Sequence, residues 1–311
     1  MNNKIAAYLN QNKNNLTIDD SQIKFLNDNG YLIVNKTQQY WDNFNINLTN
    51  IKNICDELLN KEGSKAGKEG KFINKSKVAE EGAYRLSNLL GKNNEFQKFL
   101  TLPDLLHPVS SVIGYNFQLS SFDMREPKIN NGYQGLHLDI PQREKLNQKF
   151  NQCTAFVLLD DMKVENGGLR VVPRSHIEMQ HIKSGSLYEH KRNKDDHIII
   201  EDADKKSITI TAKMGSIIFL NVNTFHAGTM NTSGERRRVL FINFRDRNLR
   251  SQIEHYDFIP KHNHTNFNEL EKYLLKLHKK NILEKLKRKV HIYRKNIFVS
   301  LLLKIYAKFK K

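Results

Sequence analysis

Only two of the 311 residues are cysteine, Cys55 and Cys153. Neither belongs to a C-x-x-C pair, so the chain has no disulfide framework and no zinc knuckle. A single tryptophan and six prolines are spread over the whole length, too few for a proline-rich segment. No apolar run approaches the roughly 18 residues a membrane-crossing helix needs. The opening MNNKIAAYLNQNKNN has no apolar core of the kind found in a secretory signal. These absences point to the reducing cytoplasm.

Acidic residues are scarce at the C-terminal end. From Thr265 to Lys311 there are 14 lysines and arginines against 3 acidic residues, so this stretch holds +11 of the formal net charge of +17. Basicity is therefore a property of the tail, which argues against a nucleic-acid surface spread over the whole protein. The remainder, with 39% hydrophobic residues overall, is ample for a buried core.

Residues 1–15 read as a frayed terminus. Asp19 or Asp20 can cap a helix that carries Ile23 and Leu26 on one face, and Gly30 suits its left-handed end. Tyr31 to Val34 reads as a strand and Leu48 to Leu59 as an amphipathic helix. Lys61 to Lys77 reads as a Gly- and Lys-rich loop, and Asn94–Leu100 and Pro103–Ile113 as two further helices. From Tyr115 the chain changes to short β-rich runs: YNFQLSSF, YQGLHLDI, TAFVLLDD, LRVVP, HIIIED, SITITA, SIIFLN and RRRVLFINF. Turn residues separate them, and few helices of crossover length intervene. This predicts a mainly β core with flanking helices, of the jelly-roll kind. The polar stretch Ile177–Lys194 is expected to be a lid loop.

His137 and Asp139 stand at i and i+2, so in an extended strand both side chains share a face. A histidine from a remote strand would complete a facial triad, which leaves positions open on iron. His226, just after SIIFLN, is the candidate. A second H-x-D, His255-Tyr256-Asp257, lies beyond the core strands and reads as structural or surface-exposed.

The run Asn166-Gly-Gly-Leu-Arg-Val-Val-Pro-Arg-Ser-His176 resembles the N-G-x-L-x-x-x-P-G-S-H signature of the phytanoyl-CoA dioxygenase family. Met214-Gly215 and the strand after it resemble the family's approach to its distal histidine. The helix ending in NDNGYLIV is similar to its N-terminal element. The resemblance covers residues 16 to 247. It implies a double-stranded β-helix, cupin-like, that uses Fe(II), 2-oxoglutarate and O2 to hydroxylate an unactivated C–H bond of a small-molecule substrate, releasing succinate and CO2. The metal ligands would be His137, Asp139 and His226. Arg237, eleven residues after His226, would anchor the distal carboxylate of 2-oxoglutarate, for which a guanidinium is suited. Gln118 would reach toward the same cosubstrate. His176 would be a structural hydrogen-bonding group. Asp139 favours hydroxylation, because halogenating relatives have a small residue there.

Within Arg236-Arg237-Arg238, strand alternation puts Arg237 on one face and its neighbours on the other, where they read as a solvated basic edge. Three family positions differ: Leu136 replaces a Trp, Met124-Arg125-Glu126-Pro127 blurs a Lys-Pro element, and Arg174 replaces the Gly of P-G-S-H. Such positions border the substrate pocket, so the substrate stays open: an acyl-CoA, a small metabolite, a sugar or a lipid-linked glycan.

The domain is expected over residues 16–264, with its β core at about 115–247, followed by a basic helical tail over 265–311. There Leu283, Leu286, Val290, Tyr293, Ile297 and Leu301 recur at helical spacing among basic residues. Such a helix can pack on the domain or on a second copy, or lie on an anionic membrane surface, here the inner face; sparse aromatics disfavour nucleic acid. Other readings of the chain are a jelly-roll binding protein without catalysis and an interaction protein acting through its tail. Oligomeric state is not legible.

Overall fold

The computed structural model describes residues 4–63, 82–139, 150–178, 194–249, 255 and 259–277. Residues 4–15, expected to be frayed, are ordered as helices, and residues 1–3 lie outside the described residues. Lys4–Gln11 forms helix α1, because Ile5 and Leu9, one turn apart, are both buried. Helix α2, Asp20–Asn29, begins with a capping box in which Asp19 and Gln22 each bond the other's backbone, and it ends at Gly30 with φ 81°. Strand β1 (Tyr31–Val34) follows, then helices α3 (Gln38–Asn43) and α4 (Leu48–Glu62) and strand β2 (Ala83–Leu86). Asn94–Phe99 is 3-10 helix rather than α-helix, and Pro103–Ile113 is α5.

The remaining strands are β3 (Phe117–Pro127), β4 (Gln152–Leu158), β5 (Leu169–Val171), β6 (Ile208–Ile210), β7 (Ile217–Asn221), β8 (His226–Gly228) and β9 (Val239–Asp246). They form a six-stranded sheet in the order β1-β7-β4-β9-β3-β2 and a three-stranded sheet in the order β6-β5-β8. Every pairing is antiparallel, which is the jelly-roll arrangement expected. The sheets face each other through Phe156, Leu158, Ile218, Leu220 and Val239 of the large sheet and Val171 and Ile210 of the small one. Alternate residues of the large sheet therefore line the interior, while its other face packs α5.

Several local expectations fail for tertiary reasons. HIIIED lies in helix α7, Lys194–Lys205, not in a strand. Its β-branched run is overridden because Ile199, Ile200 and Ala203 pack on Leu136, Leu138 and Phe225. YQGLHLDI contributes only the isolated bridge His137↔His226. Residues 265–275, assigned from charge to the tail, pack on the domain: helix α8 (Glu269–Leu274) buries Leu270 and Leu274 and contacts α1 and β3. Contacts divide the chain into Met1–Leu275 and Lys276–Lys311. The tail beyond Leu277, most of the loop expected at Lys61–Lys77 and most of the expected lid at Ile177–Lys194 lie outside the described residues. Short helix α6, Ser175–Glu178, occupies the start of that lid. Among the described residues no helix is long and apolar enough to cross a membrane.

Candidate metal centre

His226 opens β8 and pairs with Val171 in register, so it shares the interior face with that core residue. The bridge between His137 and His226, with both N–H···O bonds at 3.0 and 3.1 Å, brings together residues 89 positions apart. One ligand atom from each of His137, Asp139 and His226 lies within 4.8 Å of the others. The imidazole Nε2 of His137 is 3.5 Å from one Asp139 oxygen, and that of His226 is 3.6 Å from the other.

The histidine tautomers follow from their partners. His137 Nδ1 is 2.8 Å from the Gly135 carbonyl and His226 Nδ1 is 2.9 Å from the Thr224 carbonyl. A carbonyl oxygen can only accept, so each Nδ1 carries a proton and each Nε2 faces Asp139, where it can donate a proton to the carboxylate or, once that proton leaves, offer its lone pair to a metal. Enclosure by protein pushes the Asp139 carboxyl up. Attraction to His226 and hydrogen bonds from both rings outweigh this and hold it well below the ordinary carboxylate range. For His226, burial presses the pKa down, but the Asp139 charge prevails and raises it. Both histidines are buried, whereas the Asp139 side chain keeps 38% exposure. The cluster is thus closed on the histidine side and open on one flank. Two neutral nitrogens and a carboxylate with an open flank fit a ferrous ion that must still accept a cosubstrate.

The N-G-G…S-H run works as scaffolding. Asn166 ties its own turn, accepting from Lys163 N at 2.8 Å and donating to the Asp161 carbonyl at 2.9 Å. A Cβ on Gly167 would stand 2.7 Å from Pro127 Cγ and 3.4 Å from Arg237 Nη2, so the turn lies closely over Arg237. Ser175 Oγ accepts from Phe225 N at 2.9 Å, and His176 Nε2 donates to the Asn27 carbonyl at 2.9 Å. His176 is therefore placed as a structural group, away from the three ligands. Arg174, at the family's glycine position, is left-handed with φ 64°.

Arg237 is 4% exposed on the interior side of β9's approach. Its neighbours share the opposite face and are not a solvated edge. Arg236 bonds Glu126 at 2.6 and 2.8 Å and Asp56 at 2.7 and 3.1 Å. Arg238 bonds Asp160 at 2.7 and 2.8 Å and Asp56 at 2.9 Å. Asp56 of α4 thus clamps both neighbours and leaves Arg237 turned inward. Sequence reasoning missed these three acids, since nothing local ties α4 to β9. Gln118 is not brought to Arg237. It pairs with Arg245 at one end of the β3–β9 ladder, while Arg125 pairs with Val239 at the other, roughly 20 Å of strand away at about 3.3 Å per residue. Its Nε2 donates to the Leu249 carbonyl at 2.6 Å. Thr229 Oγ1 donates to the Val164 carbonyl at 2.9 Å and acts as a turn residue. His255 is buried rather than on the surface; its H-x-D partner Asp257 lies outside the described residues. Among the described residues, His137, Asp139 and His226 are the one cluster of potential ligands.

The sequence pattern of the phytanoyl-CoA dioxygenase (PhyH) family matches residues 26–239. No curated protein sequence matches the chain. Among solved structures, the non-heme alpha-ketoglutarate-dependent carbocyclase SnoK from nogalamycin biosynthesis superposes with a TM-score of 0.55 at 19% identity, over 74% of this chain and 85% of that one. HygX from Streptomyces hygroscopicus, with nickel and 2-oxoglutarate bound, gives 0.56 at 12% identity, over 76% and 90%. At such identities the likeness concerns the fold.

Proposed function

The chain belongs to the phytanoyl-CoA dioxygenase family of Fe(II)- and 2-oxoglutarate-dependent oxygenases, and from that membership we propose that it hydroxylates an unactivated C–H bond of a small-molecule substrate. His137, Asp139 and His226 hold the iron, and Arg237 anchors the distal carboxylate of 2-oxoglutarate. The observation that carries this reading is the convergence of two Nε2 atoms and one carboxylate, with each Nδ1 fixed by a backbone carbonyl. A ferrous ion held there would, with 2-oxoglutarate and O2, supply an oxidation of R–H to R–OH in which the cosubstrate becomes succinate and CO2. The protein supplies position. The two imidazoles cannot rotate without losing their carbonyl partners, Asp139 contributes charge at the open flank, and buried Arg237 offers a two-pronged cation to a carboxylate.

The test is anaerobic. Fe(II) and 2-oxoglutarate added together should give the weak visible band of a chelated ferrous ion. His137→Ala, Asp139→Ala and His226→Ala should each lose iron at micromolar metal while keeping their melting curves, and His255→Ala should keep its iron. Stoichiometric iron retained in the His226 variant would sink the assignment.

A further inference from the structure

The interior of the barrel is not uniformly apolar. At the Arg237 end it holds Phe156, Leu158, Val171 and Val239, with Arg125 and Asp123 of β3 in register beside Val239 and Phe241. Two rows toward the other end, the interior positions of β3, β9 and β4 are all polar. Asn243 donates to Ser121 Oγ at 2.8 Å and accepts from Thr154 Oγ1 at 2.6 Å. The outermost row is Gln118, Arg245 and Gln152, side by side in register, with Arg245 Nη2 donating to Gln152 Oε1 at 2.7 Å.

His226 lies between the two poles. On one side, Asn231, five residues along from it, donates to the Pro127 carbonyl at the end of β3, below Arg125. On the other, Thr224 N donates to Asn221 O at 2.8 Å, and Asn221 is in register with Cys153, the residue after Gln152. The metal ligands therefore sit level with the middle of the ladder, with Arg237 beneath them and the Gln118–Arg245–Gln152 row above. Gln118 is 0% exposed, and its Oε1 is a buried acceptor that receives no hydrogen bond. A buried amide oxygen left unmet is destabilising, so it calls for a donor from a bound molecule. Beside it lies the half-buried guanidinium of Arg245, whose pKa burial lowers, and a guanidinium suits a carboxylate.

We propose that the Gln118–Arg245–Gln152 row is the substrate-recognition subsite, and that it takes a small carboxylate carrying a hydroxyl or amino donor, of the amino-acid or hydroxy-acid class, rather than a fatty acyl chain. The guanidinium of Arg245 receives the carboxylate, and Gln118 Oε1 accepts from the donor. This rests on the triad being the iron site. It moves Gln118 from the cosubstrate to the substrate, and it gives the barrel a cation at each pole, one for each acid.

The test uses the full chain loaded with Fe(II) and 2-oxoglutarate, with the visible band recorded first and succinate release then followed in air. The probes are the twenty protein amino acids, lactate, malate and glycerate, each alone, against palmitoyl-CoA. At least one polar acid should raise succinate release tenfold or more over the unstimulated rate, and the same compound should raise the melting temperature of the metal-free protein. Gln118→Leu and Arg245→Gln should each raise its half-saturating concentration at least tenfold. The proposal is overturned if palmitoyl-CoA alone stimulates, or if no polar acid does while the band is present. It is overturned equally if Gln118→Leu leaves half-saturation unchanged, since Oε1 then meets only water, or if that variant shifts the 2-oxoglutarate midpoint instead. Absence of the band removes the iron reading, and the subsite with it.

Discussion

Replacing Gly30 with alanine probes the link between the N-terminal corner and the proposed metal ligands. Gly30 has φ 81°, and a Cβ there would stand 2.1 Å from Thr224 Oγ1 and 2.7 Å from His176 Nδ1. Neither neighbour is free to retreat. Both residues are buried, Thr224 Oγ1 donates to the Gly30 carbonyl at 3.2 Å, and His176 is tied to Asn27. The left-handed backbone costs an alanine about 1–2 kcal/mol, and overpacking a filled site adds about 1–3 kcal/mol. At about 2–4 °C per kcal/mol for a domain of this size, the melt should fall by roughly 5–15 °C. The effect reaches the ligand, because the Thr224 carbonyl holds His226 Nδ1. Displacing it tilts the ring, and iron affinity should drop about 10–100-fold, the scale for losing a ligand's hydrogen-bonding support. Gly234→Ala is the control. Its φ is 75°, and its Cβ would meet only the exposed side chain of Ile129, so it bears the backbone cost alone. The assay pairs thermal melts of metal-free protein with iron titration against a chromophoric chelator. If Gly30→Ala melts with the control, or is destabilised yet binds iron like the parent, the corner does not support His226 and the reasoning fails.

Arg237→Ala should weaken 2-oxoglutarate binding by about 2–4 kcal/mol, the scale of removing one partner of a desolvated charge pair. Arg238→Ala should lower the melt instead, because it removes the guanidinium bonds to Asp160 and Asp56; a titration in which Arg238 is the sensitive residue for 2-oxoglutarate would reverse the faces assigned here. Arg174→Gly should raise the melt by roughly 1–3 °C, since glycine removes about 1 kcal/mol of left-handed strain at the cost of an exposed pair with Glu178 worth a few tenths. An unchanged or lower melt would refute it. Deleting residues 278–311 should leave the melt in place and abolish sedimentation with phosphatidylserine vesicles, binding that in the full chain weakens with salt. Deleting 266–311 should also lower the melt, because Phe267, Leu270 and Leu274 belong to the domain core. Vesicle binding that survives the shorter deletion would exclude the tail as a membrane anchor.

Much of the site was legible because its parts are local. H-x-D spacing, the capping residues around α2 and the N-G-G…S-H turn are each set within a dozen residues, where backbone preferences and side-chain hydrogen bonds act without help. The face of Arg237 was legible too, since alternation along a strand needs only its own register. Position within the barrel was not. Gln118 is separated from Arg237 by the length of a ladder whose register depends on a bulge between Leu119 and Ser121. The isoleucines of α7 favour a strand by propensity and became helical through contact with Leu136, Leu138 and Phe225.

The sequence by itself determined which groups are present: the histidines and carboxylate of the proposed site, the guanidinium eleven residues on, the strand-rich core and the charge of the tail. Only the tertiary structure decided which groups meet. It set His226 against His137 through one backbone bridge, turned Arg236 and Arg238 from a solvated edge into partners of Asp56 on α4, and drew residues 265–275 out of the tail into the core. The reason is physical. A side chain's charge, lone pairs and local backbone preference travel with the residue, but its partners are set by which surfaces are buried together, and that is settled only when the whole chain has packed.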